Sequence, residues 1–192
     1  MRLAQPKDRE LVVQVMTTMF ATNPAVLSLI APGKSKELGI KSLAEFSFQK
    51  CISRNGVWIS SNEKAVALCY RFNEGGFSLK EFLMELRFAI RFIGLTRLPS
   101  ILAREAYRKK QRPADGKYYY FWFFAALPDA GEAAFELKNR IFGLAEKEGL
   151  PIYTETSVER NRKIYERYGF ETYHLWQDPK EDVTFWFLKR TT

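Results

Sequence analysis

Apolar positions along the chain follow two spacings, and the switches between them mark the elements. From Arg9 to Phe20, Leu11, Val12, Val15, Met16 and Met19 recur at helical spacing. Asp8 stands just ahead, where a carboxylate can accept from free amides at a helix start. The short segment before it reads as a strand, and Asn23-Pro24 ends the helix. A second amphipathic helix is expected over Lys36–Ile52, with Leu38, Leu43, Phe46 and Ile52 inside. Asn55-Gly56 signals a turn, and strands follow over 57–60 and 65–72. Gly75-Gly76 then opens a long connection. Within it, residues 79–93 and 99–110 read as helices with Gly94 between them, and Pro113 and Gly116 close the section.

The run from Tyr118 to Leu127 is apolar throughout. Such a run predicts a central strand buried on both faces. Pro128 breaks it, and Ala130, Ala133, Ala134, Leu137, Ile141, Leu144 and Ala145 mark one side of a helix that Gly149 stops. A strand over 151–156, a helix over 161–168 ended by Gly169, and strands over 171–176 and 183–189 complete the chain. Strand–helix–strand units imply some parallel pairing, and the hairpins imply antiparallel pairing. The expected class is α/β (α+β) with a mixed sheet, in a single domain over 1–192 that carries a helical insertion over 73–116.

Composition narrows the function. The 192 residues are 46% hydrophobic and 15% aromatic, enough to build a core without covalent staples. Two cysteines, Cys51 and Cys69, cannot form a disulfide framework, so a reducing compartment and a cytoplasmic protein are expected. A single histidine, His174, excludes most His-built zinc sites, so no metal is expected. Residues 11–33 lack charge but contain Gln14, Thr17, Asn23 and Pro24, which does not suit a membrane span. Net charge is +8, and residues 80–112 hold nine basic residues against three acids. An anionic partner is one reading of that excess: nucleic acid, a lipid surface or a phosphorylated small molecule.

The segment LPIYTETSVERNRKIYERYGFETY, Leu150 to Tyr173, resembles the GNAT family of N-acetyltransferases. The carrying residues are Glu155 at a strand end, then Asn161, Tyr165, Gly169 and Phe170. The opening Arg2 to Asp8, the aromatic strand, and the helix ending with Ala145 and Gly149 resemble the family too. The resemblance implies a twisted mixed sheet flanked by helices and acetyl-CoA as co-substrate. It implies transfer of an acetyl group to a primary amine by direct attack in a ternary complex. It further implies pantetheine contacts at Ala126 and Leu127, pyrophosphate contacts at Ala130, Gly131, Ala133 and Ala134, and cofactor contacts at Asn161 and Tyr165. Tyr165 would protonate the leaving sulfur.

One motif departs from the family. The acetyl-CoA loop falls on DAGEAA, with Asp129 where the family has Arg or Gln and Glu132 where it has its first Gly. Free amides and the positive end of a helix bind a diphosphate. A carboxylate there repels it and instead suits the helix dipole, so the helix start can be self-capped. A decayed binding or regulatory module, holding acetyl-CoA weakly or not at all, is therefore the alternative to an enzyme.

Other residues carry paired readings. Glu155 is the best candidate base, against a surface carboxylate or ion pair. Asn161 and Tyr165 share a helix face, against a Tyr packed on the core and an Asn that is simply polar. Thr156 and Glu159 read as a capping box. His174 reads as structural rather than as a base. The basic insertion reads as an amphipathic helix with a solvated basic face, then as a substrate lid, then as a lipid or nucleic-acid face. Nucleic acid lacks any motif beyond charge. The acceptor, a small-molecule or protein amine, stays open, and a homodimer is possible through an exposed part of the insertion.

Overall fold

The computed structural model describes residues 1–73 and 78–192. Gly75-Gly76, expected to open the long connection, lies outside the described residues. A seven-stranded sheet forms the centre, in the order β1-β2-β3-β4-β5-β7-β6. Its strands are β1 (Arg2–Leu3), β2 (Val57–Ile59), β3 (Ala65–Arg71), β4 (Tyr119–Ala126), β5 (Ile152–Thr156), β6 (Glu171–Asp178) and β7 (Val183–Arg190). Among the described residues only β4 and β5 pair in parallel; the other neighbours are antiparallel. The mixed sheet expected from the strand–helix–strand order is present.

Alternation along β3 explains the two layers. Val66, Leu68 and Tyr70 face one core with α1 (Arg9–Phe20) and α3 (Lys36–Ile52). Ala65, Ala67 and Cys69 face the other, against α6 (Ala133–Glu148). Both cysteines are buried and free, and burial pushes their thiols up. Gly56 is required by close approach: a Cβ there would lie 2.5 Å from Tyr70 Cβ and 2.8 Å from the Cys69 carbonyl oxygen. The β3–β4 register shifts beside it, between Leu68 and Cys69.

Three local expectations are corrected. Asn23-Pro24 ends α1 but also begins α2 (Pro24–Leu27), because the Asn23 side chain accepts from the Val26 amide at 3.1 Å. The expected helix over 79–93 is α4 (Leu79–Phe88) followed by a π-helical turn, Ala89–Ile93. The aromatic strand is not buried throughout: Trp122, Phe123 and Phe124 are only partly covered, since their neighbour strand has left them.

The insertion builds its own core. Phe88, Ala89, Phe92 and Ile93 pack on Val26, Ile30, Leu43 and Phe46. Helix α5 (Leu98–Lys110) follows; Lys109 and Lys110 are solvated as expected, but its arginines are not. Arg104 and Arg112 are buried and Arg108 is largely so. They recur every fourth residue, so one line of guanidiniums faces inward from the end of α5 and the turn after it.

Candidate active site

The split between β4 and β5 positions the site. The two strands pair at only two positions, Tyr119↔Ile152 and Tyr120↔Tyr153, and then part. One side chain replaces the missing ladder: Thr154 Oγ1 donates to the Phe121 carbonyl at 2.8 Å. Beyond it, the β4 edge from Trp122 to Ala126 has no ladder to β5.

A cavity of about 710 Å³ opens at this split. Its walls come from α2, α3, the insertion and the partly covered stretch of β4. Phe20, Phe46, Phe88 and Trp122 make much of it aromatic, and Phe46 and Trp122 meet edge to face at 6.1 Å. Glu155, Thr156, Ser157, Asn161 and Tyr165 lie along it from the β5 end. The expected site residues Glu155, Asn161 and Tyr165 are thus brought to one cavity. His174 is not among its lining residues; it shares a 2.8 Å hydrogen bond with Tyr107 of α5 and packs on Phe187.

Glu155 is clamped. Arg108 Nη2 donates to Oε2 at 2.8 Å, Arg112 Nε donates to Oε1 at 2.7 Å, and the Tyr120 hydroxyl donates to Oε2 at 2.7 Å. The Tyr120 oxygen accepts in turn from Arg112 at 2.9 Å and from Arg108 at 3.2 Å. Burial alone would raise the carboxyl, but the two guanidiniums and the hydroxyl outweigh it and hold it down to about 2. This corrects the expectation of Glu155 as a base. A carboxylate so stabilised has little affinity for a proton from an amine.

Tyr165, on α7 (Glu159–Arg167), packs edge on against Phe121 and Phe170. Burial pushes its phenol up to about 12, although a hydrogen bond with Thr154 partly offsets this. It therefore carries its proton throughout the neutral range. Asn161 is exposed one turn earlier. The expected capping box at Thr156 and Glu159 is not formed. Val158 is the residue before α7, and Thr156 Oγ1 accepts from the Val158 amide at 3.2 Å.

The start of α6 is where a diphosphate would sit. Glu132 precedes the helix but its side chain caps nothing, so the expected self-capping is absent. Its carboxylate stays exposed. Asp129 pairs with Lys64, which lowers its carboxyl. Several expected amides are already engaged: Leu127 donates to Lys64 O, Ala130 to Leu127 O and Ala133 to Ala130 O. Among the described residues, the amides of Ala134 and Phe135 have no backbone acceptor. Gly131 takes a left-handed φ of 60°, with open space where a Cβ would be. The split strands and these free amides fit the elongated arm and the diphosphate of acetyl-CoA; Glu132 is set against it, while Asp129 is paired with Lys64.

Sequence reasoning raised Tyr120 only as one of three tyrosines that could shape a pocket, and missed the parts played by Arg108, Arg112 and Phe135. The spacing of the arginines was a usable signal, but their inward face depends on Glu155, which lies far along the chain. Among the described residues no cluster of His, Cys, Asp and Glu could hold a metal ion, and no helix is long and apolar enough to cross a membrane.

No protein-family profile matches the chain, and no curated protein matches it in sequence. Solved structures match it over almost its full length. A histone acetyltransferase HPA2 and related acetyltransferase from Corynebacterium glutamicum is 17% identical, with a TM-score of 0.65 over 99% of this chain and 94% of that one. Arylalkylamine N-acetyltransferase 2 from Aedes aegypti is 14% identical, with a TM-score of 0.66 over 99% and 97%. A GNAT-family protein from Desulfovibrio desulfuricans is 12% identical, with a TM-score of 0.53 over 99% and 95%. The chain has the GNAT acetyltransferase fold.

Proposed function

We propose that this protein is an N-acetyltransferase that moves an acetyl group from acetyl-CoA to a primary amine by direct attack in a ternary complex. The observation that carries this reading is the early parting of β4 and β5, with Tyr165 and an aromatic cavity at the opening. The unpaired edge of β4, including Ala126, would hold the pantetheine arm. Ala134 and Phe135 amides would hold the pyrophosphate beside Gly131, and Asn161 would add a polar contact. Acetyl-CoA supplies the activated carbonyl when bound.

The chain's own residues then have distinct tasks. The amine nitrogen would attack the carbonyl carbon as the carbon–sulfur bond breaks; Tyr165 would donate its hydroxyl proton to the departing sulfur and regain one from water. Arg108 and Arg112 line the same cavity, paired with Glu155 and Glu105. Glu155 holds those guanidiniums and Tyr120 in place, and the amine's proton leaves to water. The aromatic walls suit an acceptor with an apolar body, in keeping with the name of the Aedes aegypti protein.

Glu132 favours a second reading, a module in which cofactor affinity has decayed. Isothermal titration with acetyl-CoA separates the two. Micromolar binding by the native chain, followed by acetyl transfer to an amine, supports the enzyme. No native binding, with binding gained in Glu132→Gly, supports the decayed module. No binding by either variant refutes cofactor chemistry on this fold. The nucleic-acid reading loses ground because Arg104, Arg108 and Arg112 are turned inward.

A further inference from the structure

The charged groups of the cavity wall do not balance. Glu155 and Glu105 are matched by Arg108 and Arg112, Arg104 Nε lies 2.8 Å from the buried carboxylate of Asp178, and Lys109 at the rim is exposed. Lys50, in the last turn of α3, also lines the cavity. Its ammonium lies 5.6 Å from the Phe46 ring centroid and 5.2 Å from that of Trp122. Among the described residues it has no carboxylate within ion-pair distance. Glu85 also lines the cavity, but its side chain is exposed and forms no ion pair with Lys50.

Ring faces attract a cation only weakly, and a partly dehydrated ammonium gains more from an anion. The two guanidiniums at the other end of the wall are balanced by Glu155 and Glu105, so among the described residues Lys50 carries an uncompensated charge. We propose that the cavity binds a ligand with an apolar aromatic body and a carboxylate, and that Lys50 is the residue that holds the carboxylate. On the acetyl-transfer reading above, the acceptor is then an amine that also carries an acid group, such as an aromatic amino acid. Lys50 lies on α3 at the cavity wall, and nothing in the proposed chemistry requires it. It sets which acceptor is chosen rather than how the acetyl group moves.

The test needs no acetyl-CoA. Phenylbutyrate and phenylbutanol share a body and differ in the acid, so titration calorimetry of both with the full chain isolates the anion site. The native protein should bind phenylbutyrate about ten-fold more tightly. Lys50→Met should erase that preference while leaving phenylbutanol binding unchanged, and Lys50→Arg should retain it. The unchanged alcohol shows that the variant is folded. Equal binding of the two ligands by the native protein overturns the proposal, as does binding of neither at millimolar concentration. A preference that survives in Lys50→Met overturns the assignment to Lys50. Acetyl transfer to phenylalanine and to phenylethylamine is measured separately. A carboxylate preference without any transfer leaves the site standing and refutes the transferase reading. Transfer without a carboxylate preference does the reverse.

Discussion

Glu155 shows how a residue's chemistry depends on what faces it. As the acid ending a strand it invites assignment as a base, yet two guanidiniums and a phenol make it an anchor. Glu155→Gln should cost about 3–5 kcal/mol in urea unfolding, because it strands buried cations. The native carboxyl titrates at about 2 against an ordinary 4.5. Its stabilising effect is therefore complete above pH about 4.5 and is lost as pH falls toward 2. Acid titration of stability should show a loss in that window that Glu155→Gln lacks. Tyr165 calls for a different measurement. Tyr165→Phe should lower kcat by about 10²–10⁴ while leaving the affinity for acetyl-CoA nearly unchanged. An equal loss in both would make Tyr165 a binding residue. Asn161 and Tyr165 stood out as candidates only through their spacing from Gly169 and Phe170, since an Asn and a Tyr four residues apart say little alone.

Elements were far more legible than contacts. The bounds expected for α1 and α3 coincide with those observed. Ser35 caps α3 by accepting from the Leu38 amide, whereas Asp8 ahead of α1 does not cap it as expected and accepts instead from Arg2 and the Gln5 amide. The short helix α2 escaped notice because Asn23-Pro24 serves both as a stop and as a start. Asn23→Ala should therefore cost about 1 kcal/mol and loosen one wall of the cavity, measurable by urea unfolding. Gly56 read only as a turn residue. Its need for bare backbone follows from Tyr70 and Cys69 pressing on it from the next strand. Gly56→Ala should destabilise the fold by about 2 kcal/mol or more, since the atoms in its way belong to backbone and to a Cβ. A cost within experimental error would mean that the bulge at Leu68 and Cys69 can relax.

Across the whole molecule, the insertion is fastened to the far end of the sheet. Arg104 pairs with Asp178 of β6, Arg97 with Glu181 in the β6–β7 turn, and Tyr107 with His174. Asp178→Asn should accelerate hydrogen exchange in α5 more than in β4, because it leaves Arg104 buried without its counter-ion. Equal acceleration in both would mean that α5 and the sheet open as one unit. The sequence by itself determined the elements, the mixed sheet and the likeness from Leu150 to Tyr173. These follow from apolar periodicity, turn residues and caps, which act over a few neighbouring positions. Only the tertiary structure decided which way α5 turns its arginines, that β4 loses its neighbour after Tyr120, and that Lys50 stands over aromatic rings without an acid partner among the described residues. Each of those outcomes rests on groups tens of residues apart. Burial and charge become defined only when the chain brings such groups together.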